Sequence, residues 1–232
     1  MSEMERQQEL DAIAARYARR TPSDRYSLLR PEVWQMLQER QRALWRRLAE
    51  RPGAPQDWRL TEVGCGAGGN LLEMLRLGLA PEHLSGIELL PERWQAARQV
   101  LPAAVRLHLG DASQAPLQDA SQDLLLQSTV FSSILSDAVQ QQLAEAMWRW
   151  LKPGGAVLWY DFIVDNPRNP DVRGVPLPRV RELFPHGRLQ AQRLTLAPPL
   201  ARLVCRLHPM AYGVFNSLPW LRTHVLAVIS KP

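Results

Sequence analysis

The chain has 232 residues, 46% hydrophobic and 22% charged, with a net charge of +5, which suits one α/β domain with a large core and is short for two. No uncharged apolar run reaches the roughly 18 residues of a spanning helix, and the charged stretch Met1 to Arg20 has no apolar signal core. Cys65 and Cys205 lie too far apart for a zinc framework and fit a reducing, cytoplasmic setting. The positive charge is almost all arginine, with Lys152 and Lys231 the only lysines, and it is spread along the chain. A specific nucleic-acid partner, which needs clustered basic residues, is not expected.

Two helices come first, Glu3–Arg20 and Pro31–Arg51. The second starts on Pro31, carries Trp34, Leu37, Leu44 and Leu48 near one face, and stops at Pro52-Gly53. Residues 1–53 are expected to form a helical extension, with Tyr17 and Tyr26 as lid residues, on a domain spanning 54–232. From Leu60 the strand and helix patterns alternate: a strand at Leu60–Val63, a glycine-rich turn, a helix to about Leu77, and a strand at Leu84–Glu88. A helix at Pro91–Val100 follows, then strands at Ala104–Leu109 and Asp123–Gln127, a helix at Asp137–Leu151 and a long apolar strand at Ala156–Val164. This alternation implies right-handed crossovers and a doubly wound, Rossmann-like parallel sheet with helices on both faces. Such sheets bind ligands beyond the carboxyl ends of their strands, so the residues after each strand are the candidates.

The first of these is Glu62-Val63-Gly64-Cys65-Gly66-Ala67-Gly68-Gly69. Its glycines permit a sharp turn and close approach of a ligand. Gly64, Gly66 and Gly69 satisfy the dinucleotide pattern G-x-G-x-x-G, which leaves a nicotinamide oxidoreductase open. Glu62 argues otherwise, because a carboxylate beside the loop repels a pyrophosphate and attracts an ammonium or sulfonium. Glu88 ends the second strand, where it can accept hydrogen bonds from ribose hydroxyls. Asp111, after the third strand, can accept from an adenine amino group.

The ordered series Glu62-x-Gly64-x-Gly66-x-Gly68, Glu88, Asp111, Asp123–Gln127 and Leu151-Lys152-Pro153-Gly154-Gly155 resembles the motifs of class I S-adenosylmethionine-dependent methyltransferases, over about Leu60 to Phe162. The resemblance implies that S-adenosylmethionine is the cofactor. Glu62, Gly64, Cys65, Gly66 and Gly68 would hold its methionine part, Glu88 its ribose, and Asp111, Ala112 and Leu89 its adenine, with Gln127 completing the set. It also implies a sheet of about seven strands whose last strand is antiparallel, with Arg188–Leu196 and Thr223–Ile229 as the final pair and Pro198–Leu221 as a helical insertion between them. The Leu158–Phe162 and Asn-Pro-Arg-Asn-Pro stretches look like a group of bacterial methyltransferases associated with glycan or secondary-metabolite pathways.

The acceptor is read from the remaining strand ends. Gln127-Ser128-Thr129-Val130-Phe131 lacks the Asn/Asp-Pro-Pro-aromatic motif of many nucleic-acid amino methyltransferases, and no acidic cluster marks a metal site. Ser128, Thr129, Asn166 and Arg173 are candidate acceptor contacts. Tyr160 and Asp161 are candidate catalytic residues, Asp161 as a proton acceptor. His186 and His208 are further candidates for a base. The insertion reads as core, lid or an apolar wall near lipid. A small-molecule acceptor with an oxygen nucleophile is the expectation. An RNA methyltransferase, a nicotinamide oxidoreductase and a non-catalytic nucleoside-binding module are the alternatives.

Overall fold

The structure, a computed structural model, describes residues 2–20, 24, 27–167 and 169–232. Its strands are β1 (Leu60–Val63), β2 (Leu84–Glu88), β3 (Arg106–Leu109), β4 (Gln122–Ser128), β5 (Leu151–Phe162), β6 (Arg188–Leu196) and β7 (Arg222–Ser230). They form one sheet in the order β3-β2-β1-β4-β5-β7-β6. The pairs among β1 to β5 are parallel, and β7 runs antiparallel to both β5 and β6. The winding reverses between β1 and β4, the place where a crevice opens in such sheets.

Strand side chains alternate between the two faces, and both faces are buried. On one face Val63, Ile87, Leu125, Val157 and Trp159 meet α5 (Asp137–Trp150) and α6 (Leu177–Leu183), through Leu143, Met147, Trp150 and Val180. On the other, Leu60, Leu84, Leu124, Leu126 and Leu158 meet three helices. These are α2 (Pro31–Ala49), α3 (Gly69–Arg76) and α4 (Pro91–Val100), which contribute Leu44, Leu48, Leu71, Met74 and Ala97. The N-terminal extension therefore shares the sheet's core. A third cluster joins Leu196 to α7 (Pro198–Leu207) and α8 (Ala211–Asn216), with Met36 of α2 packed on it.

The first helix, α1 (Glu3–Ala18), starts on a capping box: Ser2 Oγ accepts from the Glu5 amide at 3.2 Å and Glu5 Oε2 accepts from the Ser2 amide at 2.8 Å. It then crosses the carboxyl end of the sheet, tied to the segments after three strands. Arg6 Nε lies 3.4 Å from Asp111 Oδ2, after β3. After β4, Arg16 Nη2 donates to the Ser133 carbonyl at 3.0 Å, and Glu9 Oε1 accepts from the Leu135 amide at 2.9 Å. After β5, Arg19 pairs with Asp171 at 3.0 Å.

The structure departs from the sequence expectations in several places. Strand β5 begins at Leu151 rather than Ala156, because the Pro153-Gly154-Gly155 stretch is drawn into the ladder. The Gly154 amide donates to the Lys231 carbonyl at 3.0 Å and the Lys231 amide to the Gly155 carbonyl at 2.8 Å, with a register shift opposite Gln122/Leu124. It ends at Phe162, two residues early, and β3 starts at Arg106. Helix α6, seven residues long, is too short for a periodic signal. Both lysines are engaged by acceptors of the chain itself. Lys152 Nζ meets Asp123 Oδ2 at 2.8 Å, and Lys231 Nζ donates to the Trp148 and Leu151 carbonyls at 2.8 Å each, capping the C-terminal end of α5. Among the described residues no helix is long and apolar enough to cross a membrane.

Candidate functional site

The turn after β1 is built on left-handed backbone. Gly64, Gly66 and Gly68 have φ of +65°, +55° and +83°. At Gly64 a Cβ would lie 2.5 Å from Val130 Cγ2, so glycine is required there for space as well as conformation. Beside the turn, Glu62 is 1% exposed. Its Oε1 accepts from Asn70 Nδ2 at 2.6 Å, while Oε2 is buried with no partner. Burial pushes its pKa up to about 8, against the opposing pull of Asn70 and the Arg40 guanidinium. Arg40, on α2, donates to Asn70 Oδ1 at 2.7 Å and to Ser128 Oγ at 3.2 Å, and lies 3.5 Å from Glu73. Cys65 is buried, and its thiol is pushed well above its ordinary pKa by that burial.

At the end of β2, Glu88 accepts from the Gly66 amide at 2.8 Å through Oε2 and from the Leu90 amide at 2.9 Å through Oε1. It thereby fixes the glycine turn against the second strand, and each oxygen keeps a further lone pair. Leu89 is half-buried against the α5 face, as is Ala112. Asp111 caps a single 3₁₀ turn at Ala112–Gln114, accepting from the Ser113 amide at 2.8 Å. Tyr17 of α1 roofs this region. Its ring lies 4.6 Å from the Arg93 guanidinium, which in turn stands 3.8 Å from a Cβ placed on Gly66. Tyr26 lies outside the described residues.

A methyltransferase-domain family model matches residues 61–155, the segment that holds Glu62, the glycine turn, Glu88 and Asp111. The chain contains a class I S-adenosylmethionine-dependent methyltransferase domain. It is similar to the tRNA N(3)-cytidine methyltransferase METTL2 of Gallus gallus, 29% identical over 119 residues, 48% of this chain and 32% of that protein. The chain thus matches about a third of the length of this curated relative. Among solved structures, a SAM-dependent methyltransferase from Archaeoglobus fulgidus superposes with a TM-score of 0.61 at 13% identity, over 82% of this chain and 92% of that one. Phosphoethanolamine N-methyltransferase 1 of Haemonchus contortus superposes with a TM-score of 0.65 at 11% identity, over 100% of this chain and 50% of that one. These two likenesses concern the fold.

The residues of this domain fit the cofactor of the family. A buried carboxylate oxygen without a partner matches an ammonium, and a turn of glycines at positive φ admits a ligand close to the backbone. When bound, S-adenosylmethionine supplies a methyl group activated by a sulfonium. Glu62 would take its ammonium, Glu88 its ribose hydroxyls, and Asp111 with Ala112 and Leu89 its adenine.

On the acceptor side the structure separates residues that adjacency in the sequence puts together. Tyr160 and Asp161 are successive strand residues and point to opposite faces. The Tyr160 hydroxyl lies 2.7 Å from Thr195 Oγ1, and its ring stacks on His224 with centroids 5.2 Å apart. Burial raises the Tyr160 pKa to about 12, and burial followed by Arg40 lowers that of His224 to about 4. Asp161 is 0% exposed. Its Oδ2 accepts from the Ser132 amide at 3.1 Å and its Oδ1 from the Phe162 amide at 3.0 Å, and burial lifts its pKa to about 7.

Gln127 is fully buried and accepts from the Val130 amide at 3.1 Å. Ser128 holds Arg40, and exposed Thr129 sits at φ +58° with its amide on the Tyr160 carbonyl at 2.8 Å. Asn166 lies on an exposed stretch after β5, and Arg173 is engaged with Asp137 at the start of α5. His186 and His208 lie far along the chain from these groups, His208 at the end of α7 with its Nδ1 accepting from the Met210 amide at 3.2 Å. Arg40, Asn70 and Arg93 belong to the site and escape sequence reading. Asn70 has a weak signal, as the second residue of the helix that follows the glycines, while the two arginines have none. Among the described residues no group of three His, Cys, Asp or Glu side chains could hold a metal ion.

Proposed function

We propose that the protein methylates a small-molecule acceptor, such as a metabolite or a glycan- or lipid-linked intermediate, at the ends of β4 and β5. The observation that carries this reading is the roof over the crevice. Helix α1 covers the strand ends, and four of the arginines on it or near the crevice face a carboxylate: Arg6 faces Asp111, Arg16 faces Glu9, Arg19 faces Asp171 and, on α2, Arg40 faces Glu73. A nucleic acid presenting phosphates would have to displace these pairs, whereas a small acceptor enters beneath them. In-line transfer needs the nucleophile held against the methyl carbon, and such positioning contributes about 7–11 kcal/mol. Ser128 and Thr129 line that space. Asp161, bonded to two backbone amides, acts as a positioning residue that holds the turn at 129–133 in place. Tyr160 serves as a wall.

A second reading, methylation of an RNA base, is favoured by the similarity to the tRNA methyltransferases and by the net charge of +5. Incubation with methyl-labelled donor decides between them, using small-molecule extract in one arm and bulk tRNA in the other. Label recovered by mass in a low-molecular-weight product is expected. Label recovered only in nucleosides of digested tRNA would replace this reading with the second.

A further inference from the structure

Helix α7 presents three stripes. Ala201, Val204 and Cys205 face inward onto the cluster with Leu196 and Tyr212. Leu203 and Leu207, one turn apart, point outward at 59% and 82% exposure. Arg202 and Arg206 form a parallel stripe beside them, as the i, i+4 spacing dictates. The outward apolar surface continues through Met210, Val214 and Trp220, which are 75%, 70% and 70% exposed. Large apolar side chains grouped in this way on a surface mark a contact with something else. The inward stripe already fastens α7, so folding does not need the outward one.

The charge carried by this segment itself is one-sided, and the nearest carboxylates come from α2: Glu39 accepts from Tyr212 and Asn216 of α8 on the inward side, and Glu32 acts on Cys205 of α7. Glu182 is the last acidic residue of the chain, and the fifty residues that follow, through Pro232, carry Arg188, Arg193, Arg202, Arg206, Arg222 and Lys231 with no Asp or Glu. Arg6, Arg16, Arg19 and Arg40 near the crevice are held by carboxylates, whereas Arg202 and Arg206 have none within their own segment.

We propose that the α7–α8 face docks on an anionic lipid surface. The outward leucines, Met210, Val214 and Trp220 enter the boundary between headgroups and acyl chains, while Arg202 and Arg206 meet the lipid phosphates. Apolar residues flanked by arginine on a short surface helix match both layers of such a surface at once. An RNA backbone would leave the apolar half unsatisfied. A ten-residue helix is too short to span and lies in the plane of the interface. The proposal does not depend on which acceptor the crevice takes.

Flotation with vesicles tests it, comparing pure phosphatidylcholine with a 3:1 mixture of phosphatidylcholine and phosphatidylglycerol. The full chain is expected to float with the anionic vesicles at least tenfold better than with the neutral ones. Arg202→Gln/Arg206→Gln should lose roughly 25-fold in partitioning, about fivefold per arginine. Leu207→Ser/Met210→Ser/Val214→Ser should lose more than tenfold. All five positions lie on the surface, so melting temperature and S-adenosylhomocysteine binding should hold in both variants. Three results would overturn the proposal: no flotation with either vesicle, partitioning that neither variant changes, or a lipid-free dimer in sedimentation equilibrium that the serine variant dissolves. The last would make a second copy of the chain the occupant.

Discussion

Glu62 offers a direct test of the cofactor site, through pH. Its carboxyl, held at about 8 by burial, is mostly protonated at neutral pH while the crevice holds no cation. A ligand ammonium beside the free Oε2 favours the anion, so binding must expel the proton. With a pKa of about 8, roughly one molecule in a hundred is ionised at pH 6 and roughly one in eleven at pH 7. S-adenosylhomocysteine keeps its own amino group protonated over that interval, the ordinary α-amino pKa being about 7.7–8.0. Its affinity should therefore rise about tenfold from pH 6 to pH 7. Calorimetry in buffers of different ionisation heat should show about one proton released per ligand. Glu62→Gln should bind more weakly, by about 1.5–3 kcal/mol, and lose the pH slope. The same group bears on stability with the opposite sign. Its folded pKa is raised above the unfolded value of 4.5, so it lowers the stability of the ligand-free protein progressively as pH climbs from about 4.5 to 8. Glu62→Gln should then melt higher than the parent, by a margin that widens across that interval. An affinity that is flat between pH 6 and pH 7, with no proton released, would refute the assignment of Glu62 to the ammonium.

Two substitutions probe the scaffold of the site by thermal melting. Gly64→Ala forces a side chain into left-handed backbone and against Val130. A loss of about 2–4 kcal/mol is expected, near 4–16 °C for a chain of this size, and Val130→Ala in the same chain should restore only the steric part. Asp161→Ala strips the acceptor from two buried amides. It should cost about 2–4 kcal/mol and lower methyl transfer with little change in S-adenosylhomocysteine affinity, and an unchanged melting temperature would show that Asp161 does not hold the turn at 129–133.

The cofactor half of the site is legible in the sequence because its chemistry leaves local marks. Glycine adopts the repeated positive φ values of this turn without strain, a carboxylate beside that turn announces a cation, and strand periodicity places Glu88 and Asp111 at the ends of the next two strands. The roof is not legible. Arg40 reaches Ser128 and Arg16 reaches Ser133 across most of the domain, and a long guanidinium side chain gives no sign in its own sequence of the partner that tertiary packing supplies. Tyr160 and Asp161 lie between these cases. Adjacency groups them at one strand end, yet the period of two divides them between faces, and the length of β5, which runs on to Phe162, keeps both inside the sheet. The expected strand start at Ala156 misses for a related reason: Gly154 and Gly155 read as a turn, but pairing with the end of the chain draws them into the ladder.

With both lysines bound to acceptors of the chain itself, this is an arginine-surfaced protein with few side-chain amines open to reaction. Acylating reagents and amine cross-linkers will find Lys231 only when the cap on α5 opens, because its ammonium is held by two carbonyls, and Lys152 only in competition with Asp123. Slow acylation of Lys231 thus becomes a clock for the detachment of the last strand from α5, readable by mass spectrometry in a single peptide and free of the background that a lysine-rich surface would impose.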